Sequence, residues 1–143
     1  MKTSARNRFS GTVTRLQEDA VSAEVELAVE GGQQLIAMIT RASAVRLGLA
    51  VGKPAFALVK ASSVVLVTDI QGVLLSTRNM LDGVVAELHT GAVNTEVIVR
   101  LSSGGAIAAI VTNESAAALA LQQDSPVTAV FKTSSVILGV HQP

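Results

Sequence analysis

The chain has 143 residues, 49% of them apolar, with 11 Lys+Arg balancing 11 Asp+Glu and no cysteine, tryptophan or tyrosine. That length suits one ordinary domain or two very small ones with an aliphatic core. Zero net charge and only three phenylalanines argue against a nucleic-acid or anionic-membrane binder, and the missing cysteines exclude disulfides, iron–sulfur clusters, thiolate zinc sites and a Cys nucleophile.

In chain order, residues 1–8 lack an apolar stretch and are no secretory signal. Residues 11–16 form a predicted strand. Residues 21–29 alternate apolar and polar with period two, and Gly31-Gly32 offers a hairpin turn into a strand at 35–39. Residues 41–49 read as the one helix, with Gly48 and Gly52 as stop signals. Strands at 55–59 and 64–67 follow, and 68–72 is short enough to be a turn. The apolar runs at 64–67 and 116–121 fall far short of a membrane span, so a soluble, cytoplasmic protein with no membrane contact is expected.

The pattern then begins again. Ser4-Ala5-Arg6-Asn7 returns as Ser76-Thr77-Arg78-Asn79, an offset of 72, and at the same offset Ala20–Val25 meets Ala92–Val97, Thr40–Ser43 meets Thr112–Ser115, and Lys60–Val64 meets Lys132–Val136. No gap is needed, so the chain is one unit written twice, divided as 1–70 and 71–143. Eight basic against six acidic residues give +2 in residues 1–72, and three against five give −2 in 73–143. About five strands and one short helix per unit predict a mainly β protein of two tandem OB-like five-stranded barrels, an SH3-like barrel being the competitor. Units this small have marginal cores, so association between copies and between chains is expected.

Recurring apolar positions such as Val13, Val21, Val25, Leu47 and Leu66 are assigned to packing. The polar recurrences are Ser4, Arg6, Asn7, Glu24, Thr40, Ser43, Lys60, Ser62 and Ser63 with their partners at +72. No catalytic constellation is among them. His89 and His141 do not recur and read as surface residues, and Glu24 and Glu96 read as solvated or locally paired. A set of hydroxyls with two cations suits an anion receptor: Thr40 and Ser43 at a helix start, with Lys60 and Arg6 supplying charge. Thr40 serving simply as an N-cap is the alternative. Phosphate near neutral pH is partly protonated and benefits from an acceptor, so a donor-rich set fits a fully deprotonated dianion such as sulfate, molybdate or tungstate better.

The combined pattern SARN, G-x-V, AV-[SN]-x-EV, T-x-x-S and K-x-S-S-V-[VI]-L resembles the Mop family of molybdate-binding domains, in the twofold arrangement of the di-Mop proteins, the molbindins. The resemblance implies OB-like domains, a homotrimer of two-domain chains, and non-catalytic cytoplasmic storage of molybdate or tungstate, held as a ligand and not through side-chain metal ligation. A sensing module acting through a protein partner is the alternative, and nucleic acid is not an expected partner. Carried over by motif, one wall of an inter-domain site would be Ser4, Ala5 and Arg6, or Ser76, Thr77 and Arg78. The other would be Thr40, Ser43, Lys60 and Ser62, or Thr112, Ser115, Lys132 and Ser134. A second site class, on a three-fold axis, would use Gly91, Ala92, Val93 and Asn94. The first copy has Asp19 where the second has Gly91, and a carboxylate there would repel a dianion, so its axial site is expected to be weak or absent.

Overall fold

Alternating small aliphatic residues build strands, and the computed structural model, which describes residues 1–142, has ten of them and two short α-helices. The first repeat contributes β1 (Asn7–Glu18), β2 (Ser22–Val29), β3 (Gln34–Thr40), α1 (Arg41–Leu47), β4 (Pro54–Val59) and β5 (Val65–Val67). The second contributes β6 (Met80–Thr90), β7 (Asn94–Leu101), β8 (Ala106–Thr112), α2 (Asn113–Ala118), β9 (Pro126–Val130) and β10 (Val136–Gly139). β1 begins at Asn7, ahead of the predicted start, because the inward-facing residue there is polar and hides the alternation. α1 ends at Leu47 because Gly48 turns left-handed (φ 64°) and its N–H returns to Ala44 and Val45 carbonyls.

The strands form two antiparallel five-stranded sheets, ordered β10-β4-β1-β2-β3 and β5-β9-β6-β7-β8. Each sheet therefore takes four strands from one repeat and its fifth from the other. Val136 to Gly139 pair with Val59 to Phe56, and Val65 to Val67 pair with Val130 to Thr128. The division near residue 70 marks the repeats, and both sheets cross it. Bulges between Val13 and Arg15 and between Val85 and Glu87 bend the long strands β1 and β6, and each sheet curls into a half-barrel. In the first sheet β10 lies beside β3 without pairing to it, so the barrel stays partly open. Gly11 and Gly83 recur because β2 and β7 pass too close for a side chain: a Cβ would stand 2.1 Å from the Ala28 carbonyl oxygen or 2.3 Å from that of Arg100.

One continuous aliphatic cluster spans both repeats, centred on Val13, Val25, Leu27, Leu35 and Val59 and on Leu81, Val85, Val97, Val99 and Ile107. Leu66 is buried and Leu47 packs against the cluster. Val21 does not belong to it: Val21 and its counterpart Val93 stand in the turns after β1 and β6, 74% and 69% exposed.

Two buried asparagines fasten the repeats together. β3 and β8 are edge strands whose outward peptide groups have no strand partner. The Asn7 side chain accepts from Ala108 N–H at 2.7 Å and donates to the Ala108 carbonyl at 2.8 Å, while the Asn79 side chain accepts from Ile36 N–H and donates to the Ile36 carbonyl, both at 2.8 Å. A carboxamide carries one acceptor and donors on one plane, so it imitates a residue of a neighbouring strand. Removing it leaves a buried N–H and C=O unpaired. Asn79→Ala is expected to cost about 2–5 kcal/mol in urea unfolding, and Asn79→Asp as much or more, since a carboxylate would face the Ile36 carbonyl.

Candidate functional site

The asparagine clamps determine where the preceding residues go. Asn7 sits opposite Ala108, and Arg6 forms an ion pair with Glu96 of β7, whose partner on β8 is Ile110. The segment thus runs antiparallel to β8 and carries Ser4 and Ala5 toward Thr112. In the second copy Asn79 sits opposite Ile36 and Arg78 pairs with Glu24, whose partner on β3 is Met38, so Ser76 and Thr77 approach Thr40. Lys60 follows Val59, the pairing partner of Asn7, and the turn Ala61–Ser63 packs on β8. Lys132 leads the matching turn Thr133–Ser135, which packs on β3.

These pairings direct Ser4, Ala5, Arg6, Lys60 and Ser62 of the first repeat toward β8, at whose end Thr112 and Ser115 lie, and Ser76, Thr77, Arg78, Lys132 and Ser134 of the second toward β3, at whose end Thr40 and Ser43 lie. Within one chain, Lys60 follows Val59, which pairs with Asn7 of β1, whereas Thr40 lies across the sheet at the end of β3.

Thr40 is the N-cap of α1. Its hydroxyl oxygen accepts from Ser43 N–H at 3.1 Å and lies 2.9 Å from Ser43 Oγ, and Thr112 and Ser115 repeat this at 3.1 and 2.8 Å. The two hydroxyls of each pair share one hydrogen between them, so one hydroxyl donor per pair remains for a ligand. In the seven- and six-residue helices the N–H groups of Arg41 and Ser43, and of Asn113 and Ser115, already have partners.

The arginines differ from expectation. Glu24 and Glu96 are partly exposed and their pairing is not local: each is held by an arginine of the opposite repeat, and Glu26 stands 3.6 Å from Arg78 as well. The charge of Arg6 and Arg78 is therefore compensated, although each guanidinium has five N–H donors and is half exposed. Lys60 and Lys132 are exposed and form no ion pair among the described residues, so they supply the uncompensated charge. The recurrence of Asn7 and Asn79 was visible in the sequence, but a clamp on a distant strand was not.

The loop Gly91–Asn94 joins β6 to β7 and is exposed throughout, braced by Gly91 N–H on the Asn94 carbonyl (2.8 Å) and by Asn113 Nδ2 on the Gly91 carbonyl (2.9 Å). In the first copy the Asp19 carboxylate folds back and accepts from Val21 N–H at 2.8 Å and Ser22 N–H at 2.7 Å. These match Val93 and Asn94 of the other loop. A carboxylate of the chain thus already occupies donors whose counterparts in the second loop have no partner among the described residues. His141 lies against the Phe56 ring and Arg8, and His89 lies beside Glu87, both away from the clusters.

Donation by Ser22 and Val21 holds the Asp19 carboxyl below its ordinary pKa. The ionised form therefore steadies this turn above the ordinary Asp value of about 4, and that contribution is lost as pH falls through the lower folded value. Amide chemical shifts of Val21 and Ser22 are expected to move together below about pH 4, while Val93 and Asn94 stay unchanged.

Residues 3–66 and 75–138 each match the TOBE domain family model. The chain is 47% identical over 141 residues to the molybdenum transport protein ModE of Azotobacter vinelandii, covering 99% of this chain and 52% of that protein. It is 47% identical over 140 residues to the molybdenum-pterin-binding protein MopA of Rhodobacter capsulatus, covering 98% and 53%. The chain thus spans about half the length of these curated relatives. Among solved structures, the cytoplasmic molybdate-binding protein ModG with molybdate bound superposes with a TM-score of 0.95 at 50% identity, covering 99% of this chain and 100% of that one. By two matches that together take in most of its length, the chain belongs to the TOBE-domain family, with two domains in tandem.

Proposed function

We propose that this chain binds molybdate, and tungstate by the same chemistry, as a non-catalytic cytoplasmic store. The observation that carries the reading is that the same donor set, a lysine without an ion pair, helix-cap hydroxyls and guanidinium N–H groups, occurs twice beside strands of the opposite repeat. Full-length similarity to a molybdate-bound protein supports it. A tetrahedral dianion accepts at every oxygen and needs no acceptor from the protein, and the recurring carboxylates Glu24 and Glu96 are already engaged by arginine.

Titration calorimetry of the anion-free protein is expected to give heat with molybdate and tungstate and little with phosphate. No heat with either at micromolar protein overturns the reading. Lys60→Ala with Lys132→Ala is expected to weaken each inter-repeat site about ten- to a hundredfold, the worth of one charge-assisted hydrogen bond, with unfolding unchanged. The loop Gly91–Asn94 is the second site class in this reading, and the first copy lacks one because Asp19 fills it.

A homotrimer accounts for the apolar residues exposed at equivalent places in both copies, Val21 and Val93 and also Val65 and Ile137. Light scattering after size exclusion is expected to give three times the 14.7 kDa chain mass; a monomer contradicts it. The second reading, a sensing module working through a partner, draws on one observation: the chain is 38% identical over 141 residues to the DNA-binding transcriptional dual regulator ModE of Escherichia coli. A stoichiometric protein partner captured only with molybdate present would select it.

A further inference from the structure

We propose that the two inter-repeat sites of one chain are unequal, and that Thr77 is the positioning residue that makes the site of the second repeat's Ser76–Arg78 segment the tighter one. This rests on the oxyanion reading above. The repeats are identical at Ser4/Ser76 and Arg6/Arg78, and between these lies Ala5 in one copy and Thr77 in the other. The Thr77 hydroxyl donates to the Phe131 carbonyl at 2.9 Å and accepts from Asn79 N–H at 3.2 Å. Phe131 and Asn79 are 1% and 0% exposed, so both anchors belong to the rigid core. The segment is thereby fastened to the end of β9 before any ligand arrives.

Ala5 has no hydroxyl with which to do the same. Its backbone N–H, a donor aimed at a ligand in the carried-over site, instead donates to Thr3 Oγ1 at 3.1 Å on an exposed stretch. An incoming anion must displace that hydroxyl and order the segment, and both act against affinity. A second difference has the same sign. α2 places Glu114 between Thr112 and Ser115, on the far wall of the Ala5 site, where α1 has Ala42 between Thr40 and Ser43. A carboxylate beside a dianion is repulsive. The extra carboxylate near Arg78, Glu26, opposes this ranking, but Arg15 shares Glu26 at 3.9 Å and both ion pairs are half exposed. Pre-organisation by two hydrogen bonds outweighs it.

The sites are told apart by locating the metal. In crystals grown with one molybdate per two inter-repeat sites, anomalous scattering from molybdenum is expected at the Thr77 site with several-fold higher occupancy than at the Ala5 site. In titrations, Thr77→Ala should weaken the tight class about tenfold, Thr77→Ser should restore it, and Ala5→Thr should tighten the weak class. The double variant Ala5→Thr, Thr77→Ala should reverse the crystallographic order. Ala5→Thr removes nothing from the fold, so a gain there cannot come from loss of structure. Equal occupancy in the wild type, or an order that the double variant does not change, overturns the inference while leaving molybdate binding intact. Absence of molybdate from every site overturns both.

Discussion

A strand at the edge of a sheet has peptide groups that must be paired, hydrated or covered, and here that requirement joins the two halves of the chain. Asn7 and Asn79 each supply a carboxamide where a further strand would be, at Ala108 and Ile36. Burial makes these bonds demanding: with water excluded, a mispaired donor or acceptor costs more than the bond itself contributes. Each asparagine comes from one repeat and its target from the other, so the requirement can be met only when both are folded together. The exchanged strands β5 and β10 impose the same condition on the core.

The sites follow from this fastening. With Asn7 fixed on Ala108 and Arg6 on Glu96, Ser4 and Ala5 reach the end of β8, where Thr112 caps α2. In the proposed sites each donor set draws on both halves, and strand pairing, not a flexible loop, brings the halves together. The Arg–Glu pairs act as spacers in this arrangement. They hold the guanidinium at the boundary between repeats and remove most of its long-range charge, which leaves the lysine ammonium as the local source of field.

Much of the fold was legible because its signals are local. Alternation along Ser22–Val29 and Asn94–Leu101 marks half-buried strands, the recurring Thr-x-x-Ser marks a cap, and an ungapped offset of 72 marks duplication. Partnership across the repeats was not legible. Val65–Val67 reads the same whether it completes its own sheet or the other, since a three-residue strand carries no address. Val21 recurs like a core residue yet is exposed, because recurrence reports that a position matters and not which side of the surface it occupies. Glu24 and Glu96 looked solvated because their arginines, Arg78 and Arg6, lie 78 − 24 = 54 and 96 − 6 = 90 positions away in the chain. The family resemblance supplied the candidate residues for the inter-domain clusters. Only the strand register showed that Lys60 stands beside Arg6, because that neighbour relation depends on β4 pairing with β1.

The exchange of β5 and β10 also has a bearing on how the molecule is made. Proteins leave the ribosome N-terminus first, and a domain of contiguous sequence can close while the rest is still being synthesised. Here the first sheet lacks its fifth strand until residues 136–139 have emerged, although its other four are finished by residue 59. The nascent first repeat therefore waits with the side of β4 that β10 will cover still open, and β5, already made, has only its own repeat to rest against. Its final closure is coupled to synthesis of the second repeat, which makes the order in which the two repeats emerge part of how this small β protein reaches one structure.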